Sequence, residues 1–158
     1  MMTDHVLLRE VIEADLPIFY EQQLDPEATQ MAAFPARERA EFMAHWRNNV
    51  LGNERVIKKT ILFDGQVAGN IVSFEQFGER EVGYWLGKEF WGQGIASRAL
   101  AEFVQIERTR PLYAHVAPHN IASRRVLEKC GFVEAGVVLG FLDEDGVDDT
   151  QLVIMELR

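Results

Sequence analysis

The chain has 158 residues, with 16 Lys and Arg against 25 Asp and Glu, a formal net charge of −9 and a sequence pI near 4.9. Hydrophobic residues at 47% and charged residues at 26% are an ordinary globular mix, which excludes a disordered chain and supplies the core of one domain spanning 1–158. The acidic balance with scattered basic residues excludes a nucleic-acid groove reader, and no apolar run approaches the roughly 20 residues that cross a bilayer.

The N-terminus MMTDHVLLRE lacks a basic-then-apolar leader pattern, so a soluble cytoplasmic protein is expected. A single cysteine, Cys130, cannot form an internal disulfide. No Cys/His cluster has metal spacing, so no metal is expected.

In chain order, His5 to Val11 reads as an edge strand. Asp15 is a good N-cap with Pro17 in the first turn, and Leu16, Phe19, Tyr20 and Leu24 recur at helical spacing until Asp25-Pro26 ends the helix. A second helix is predicted over Arg37 to Val50, with Phe42, Met43, Trp46 and Val50 on one face and Gly52-Asn53 closing it. From Val56 the period changes. VIKKTILF and QVAGNIVSF are separated by Asp64-Gly65 alone, a two-residue type I′ hairpin signature. A third strand, Arg80 to Leu86, follows a turn at Gly78-Glu79. Then come the loop WGQG, a helix from Ala96 to Arg108, a buried strand from Pro111 to Val116, and a helix from Asn120 to Cys130 capped by Gly131. Two last strands, Phe132 to Leu142 and Thr150 to Leu157, flank the acidic turn DEDGVDD. The order β-α-α-β-β-β-α-β-α-β-β predicts a mixed sheet of about seven strands with about four helices on its faces.

The strand ending at Leu86 leads through Trp91-Gly92-Gln93-Gly94 directly into a helix. Glycines there let backbone N–H groups converge, and the helix start adds partial positive charge, which together make an anion cradle without lysine. Alone, Gly-x-Gly before a helix is common and equally describes a tight strand-to-helix turn. No Gly-Lys-Ser/Thr follows, so it is not a P-loop, and it does not follow a first parallel strand as a dinucleotide fingerprint would.

The stretch GYWLGKEFWGQGIASRAL followed by NIASRRVLEKCGF resembles the GNAT acetyltransferase superfamily, in the branch that includes ribosomal-protein N-terminal acetyltransferases. The resemblance implies an α/β (α+β) fold with a mostly antiparallel sheet splayed between strands 4 and 5. It implies acetyl-CoA as cosubstrate, held by Trp85, Leu86 and Gly87 along its pantetheine arm and by Gly92, Gln93, Gly94, Ile95 and Ala96 at its diphosphate. Asn120 and Ser123 match family positions that contact the cofactor, and they equally suit capping of their helix. Arg98, Arg124 and Arg125 could reach the anionic cofactor, although single helix arginines are usually just solvated. Trp91 stands where the superfamily often has Gln or Arg, which removes a side-chain contact to phosphate.

The implied reaction is transfer of an acetyl group to a primary amine by direct attack in a ternary complex. The amine must lose its proton first, and a base helps. Glu81 matches a strand position where several family members carry a catalytic glutamate, and a solvated strand-end carboxylate is the plain alternative. His115, on the neighbouring strand, is the second candidate because imidazole titrates near neutrality. The tyrosine that many family members use as the acid is replaced by Leu127, which leaves Tyr84, Tyr113, Cys130 or water, and leaves open an acyl-CoA-binding or regulatory module without turnover. Met31, Phe34, Phe42 and Trp46 could wall the acceptor site, but such a stripe more often is core. The DEDGVDD turn reads first as a solvated hairpin tip; as a functional feature, together with the net charge, it would draw a cationic acceptor. A C-terminal hairpin can pair subunits, so a homodimer is open.

Overall fold

The computed structural model describes residues 5–32, 36–139, 142–143, 146–147 and 151–158. Strand β1 covers Val6–Glu10. β2 (Ile57–Phe63) and β3 (Gln66–Gln76) are joined by Asp64 and Gly65 at φ 48° and 83°. Two successive positive φ values are what a type I′ turn requires, and they match the right-handed twist of the flanking strands. The Asp64 carboxylate accepts the His5 N–H at 3.0 Å, tying this turn to the start of β1. β4 (Glu79–Leu86) follows a turn through Phe77 and Gly78, at 54° and 79°, one residue earlier than the Gly78-Glu79 turn expected. Here an exposed phenylalanine takes a left-handed position that composition would assign to Gly, Asn or Asp.

β5 (Leu112–Val116), β6 (Val133–Leu139) and β9 (Gln151–Leu157) complete a seven-stranded sheet in the order β1-β2-β3-β4-β5-β9-β6. Every neighbouring pair is antiparallel except β4 and β5. The sheet is therefore mixed and mostly antiparallel, as expected. β6 ends at Leu139 rather than Leu142, and β7 (Leu142–Asp143) pairs with β8 (Gly146–Val147) in a separate ladder. The remainder of the DEDGVDD turn lies outside the described residues.

Five α-helices are described: α1 (Leu16–Gln22), α2 (Pro26–Ala32), α3 (Arg39–His45), α4 (Ile95–Ile106) and α5 (Ile121–Lys129). The extra one is α2, because Asp25-Pro26 starts a helix instead of stopping one. The Asp25 carboxylate accepts the N–H groups of Glu27 at 2.8 Å and Ala28 at 3.4 Å, and Pro26 occupies the first helical position, where its missing donor costs nothing. Asp15 does take the N-cap position of α1, but its side chain makes no capping bond to the helix. It is buried, accepts both guanidinium nitrogens of Arg9 at 2.7 and 2.8 Å and the Thr60 hydroxyl at 2.6 Å, and so clamps α1 to β1 and β2. The helix predicted over 37–50 is α3 followed by a wider π-helical stretch, Trp46–Leu51, that ends at Gly52.

The helices bury one core on each face of the sheet. α4 and α5 cover Ile61, Ile71, Val82 and Ala114 with Leu100, Phe103 and Leu127. On the opposite face Leu16, Phe19, Phe42 and Trp46 pack against Val72 and Phe74, with the Phe19 and Trp46 rings 5.0 Å apart. Each such fully buried side chain contributes about 1.5–3 kcal/mol. Phe42 and Trp46 are thus core, and Phe34 lies outside the described residues. No described helix is long and apolar enough to cross a membrane.

Candidate active site

β4 and β5 share one ladder pair, Glu81 with Tyr113. Past it β4 runs on to Leu86 and β5 to Val116 without pairing, so the two strands splay as expected. A cleft of about 510 Å³ opens there, between Ala28 and Met31 of α2, the end of β4, and α5. β4 can reach this position because β3 passes it at Gly69, where a Cβ would stand 2.0 Å from the Trp85 carbonyl oxygen.

The loop after β4 makes the cradle. Gly92 and Gly94 sit at φ 76° and 75°, the left-handed region that glycine tolerates without strain, and a Cβ at either would meet open space. Glycine is therefore needed for the backbone path and not for room. The N–H groups of Gly92 through Ser97 have no acceptor among the described residues, because the first helical bond of α4 is from Arg98 to Gly94. Those six donors and the start of α4 suit an anion. Trp91 donates its indole N–H to the Leu86 carbonyl at 3.2 Å, which pins the loop to the end of β4. Its side chain thus holds the loop while Trp91 also lines the cleft.

The expected cofactor residues fall mostly on this one cleft. Trp85 and Leu86 form the β4 wall, Gly92, Gly94, Ile95 and Ala96 the cradle, and Asn120 and Ser123 the α5 wall. Gly87 and Gln93 do not line it. The Gly87 N–H goes to the Ala68 carbonyl at 2.9 Å, and the Gln93 side-chain amide donates to the Glu89 carbonyl at 3.2 Å. Asn120 caps α5 by accepting the Ser123 N–H at 3.2 Å. The Ser123 hydroxyl lies 2.7 Å from the Tyr84 hydroxyl, a link from β4 to α5 within the cleft. Burial pushes the Tyr84 phenol up to about 12, so it stays protonated. Leu127 is fully buried in the core.

Glu81 and His115 lie at the point where β4 and β5 last touch, on the sheet face opposite α4 and α5. Strand alternation puts them there, since Val82, Tyr84, Leu112 and Ala114 take the core face. His115 Nδ1 is 3.2 Å from Glu81 Oε1. Glu81 is only 5% exposed; burial, helped by the nearby Glu79 carboxylate, pushes its pKa up to about 7. Burial lowers the pKa of His115, against an upward pull from Glu79. At neutral pH the imidazole is neutral, and donates Nδ1–H to Glu81 when that carboxyl is ionised.

One register row runs Phe74, Glu81, Tyr113, Glu156 across four strands. Burial first, then Glu156 and Glu79, raise the pKa of the Tyr113 phenol that stands between the carboxylates. Glu79 was readable from alternation with Glu81, whereas Glu156 required the β5–β9 register. The sequence reading missed α2 as a helix, although it offered Met31 as a wall residue, and Met31 lines the cleft from α2. α2 is held from both arms of the splay, by a Lys88–Glu27 ion pair at 2.6 Å and by His119 Nε2–H donating to the Gln30 carbonyl at 2.7 Å. Cys130 donates to the Ser97 carbonyl at 3.5 Å, and burial raises its thiol pKa, which suits packing and not nucleophilic attack. No group of three His, Cys, Asp or Glu among the described residues could hold a metal.

Residues 5–133 match the family model for the acetyltransferase (GNAT) domain. The chain is 25% identical over 151 residues to p20 of Bacillus licheniformis, an uncharacterized N-acetyltransferase, covering 87% of this chain and 84% of that one. It is 35% identical over 88 residues to a Bacillus subtilis (strain 168) protein carrying the name ribosomal N-acetyltransferase YdaF, covering 51% and 48%. Among solved structures, aminoglycoside acetyltransferase AAC(6')-Ib in complex with coenzyme A superimposes with a TM-score of 0.78 at 20% identity, over 97% of this chain and 94% of that one. At that identity the likeness is one of fold. The family match spans most of the sheet, the cradle and the Glu81–His115 pair, and the chain belongs to the GNAT family of acetyltransferases.

Proposed function

We propose that the protein transfers an acetyl group from acetyl-CoA to a cationic primary amine, a small-molecule amine or a protein N-terminus, by direct attack in a ternary complex. The observation that carries this is the conjunction of three features: six amides without an acceptor among the described residues, a cleft where β4 and β5 splay, and, outside the lining of that cleft on the other sheet face, the Glu81–His115 pair at the last β4–β5 contact. When bound, acetyl-CoA supplies an activated acyl carbon and a thiolate leaving group. The amides of Gly92 to Ala96 suit its diphosphate, and the unpaired edges of β4 and β5 suit its amide-bearing arm.

Glu81 takes the proton from the incoming ammonium. Its pKa of about 7 lies close enough to neutrality to be both ionised and effective as a base, and His115 holds one carboxylate oxygen so that the other faces the amine. Tyr84 serves the leaving side. A phenol held at about 12 keeps its hydrogen and donates a hydrogen bond to developing negative charge, in place of the tyrosine that Leu127 replaces. Glu79 and Glu156 around Tyr113 favour a positively charged acceptor, as does the net charge of −9. We place the enzyme in the cytoplasm. A homodimer would form along β6, one of the two sheet edges, where Val133 and Val137 are exposed.

Calorimetric titration with acetyl-CoA, then thiol release across a panel of amines and N-terminal peptides, tests the reading. One-to-one binding with release on a cationic amine class is expected. Binding without release on any amine would favour a CoA-binding module, and no binding would overturn the reading.

A further inference from the structure

We propose that Arg125 and Lys129 form a subsite for the ribose 3′-phosphate of the cofactor, so that the protein distinguishes CoA from its 3′-dephospho form. This rests on the acetyl-CoA reading above and goes beyond it. Among the described residues Arg125 and Lys129 are the only charged side chains lining the cleft, and no carboxylate lines it, in a chain that carries an excess of nine negative charges. They stand four residues apart on α5, hence on one helix face. Neighbouring cations are already committed: Arg124 pairs with Glu134 at 3.4 Å, and Lys88 with Glu27 at 2.6 Å. Neither Arg125 nor Lys129 pairs with a carboxylate among the described residues.

Their position follows from the packing of α5. The bond from Cys130 to the Ser97 carbonyl sets the end of α5 against the first turn of α4, which brings Lys129 beside the cradle. Backbone amides at a helix start match a diphosphate, whose two groups each carry a single charge. A phosphate monoester carries about −1.5 to −2 at neutral pH and gains most from full cations. An arginine fork with a lysine point charge is suited to that dianion, and the ribose carries it a few bonds from the diphosphate.

The test is calorimetric titration of acetyl-CoA and 3′-dephospho-acetyl-CoA into the wild type, Arg125→Ala, Lys129→Ala and the double variant. The wild type is expected to bind acetyl-CoA about tenfold more tightly than the dephospho form, with each single variant narrowing the gap and the double variant abolishing it. Melting temperatures should be unchanged, since both side chains are exposed and unpaired. Equal wild-type affinities would overturn the proposal, as would a gap that survives the double variant. Equal losses for both ligands in the variants would assign the cations to the diphosphate and overturn it too. Failure of the wild type to bind either ligand would instead overturn the acetyl-CoA reading itself.

Discussion

Gly94 and Tyr84 each carry one part of the proposed chemistry, and each can be removed without touching the other. Gly94→Val places a β-branched residue at φ 75°, where strain of roughly 1–2 kcal/mol is relieved only by turning the loop amides away from their common point. Since a Cβ there meets nothing, the fold is expected to survive, with acetyl-CoA affinity down at least tenfold by calorimetry. An unchanged affinity would remove the cradle from the account. Tyr84→Phe keeps the packing and deletes the hydroxyl that reaches Ser123. Its kcat is expected to fall about 10- to 100-fold with little change in acetyl-CoA affinity, a split seen when an interaction made only in the transition state is lost. Wild-type kcat would leave water as the donor.

Elements position these residues through a few close contacts. Gly69 is the sharpest of them, because a Cβ there would lie 2.0 Å from backbone, which cannot rotate away as a side chain can. Gly69→Ala is expected to cost about 1–3 kcal/mol or more in a denaturant titration, and to weaken acetyl-CoA binding by shifting β4. The hairpin at Asp64-Gly65, the α5 cap at Asn120 and the left-handed Gly131 were all legible in the sequence, since each is decided by residues within one turn of chain. The splay and its cradle were legible too, through family motifs and not through spacing alone. What escaped was the meaning of Asp25-Pro26, which reads as a stop from the helix before it and as a start from the helix after it. Missing α2 as a helix left Met31 as an isolated wall candidate and hid the tethers from Glu27 and Gln30. The Arg9–Asp15–Thr60 clamp escaped because its members lie up to 51 residues apart and meet only through the β1–β2 register. The same holds for Glu156 beside Tyr113.

Across the whole molecule, two buried glutamates set opposite pH dependences. Burial would raise the pKa of Glu107, but hydrogen bonds from Ser73 at 2.6 Å, Thr109 at 3.0 Å and Arg80 at 2.9 Å outweigh it and bring it to about 2. The stability it contributes is present above the ordinary glutamate value of 4.5 and is lost as pH falls toward about 2. Glu107→Ala leaves Arg80 buried without its partner and is expected to cost about 3–5 kcal/mol at pH 7, with a flatter acid limb in thermal melts. Glu81 acts in the other direction. With its pKa raised to about 7, its contribution is full below 4.5 and is lost as pH rises through about 7. The base we propose thus weakens the fold at neutral pH, a conflict expected at a catalytic position.

That conflict supplies the most direct measurement: the pH profile of thiol release from acetyl-CoA with a cationic amine, for the wild type and Glu81→Gln. The account predicts that wild-type kcat/KM rises through a limb near 7 as Glu81 ionises. Glu81→Gln should lose that limb and most of its turnover while binding acetyl-CoA normally. Turnover in Glu81→Gln at the wild-type rate, with the same limb, would contradict it.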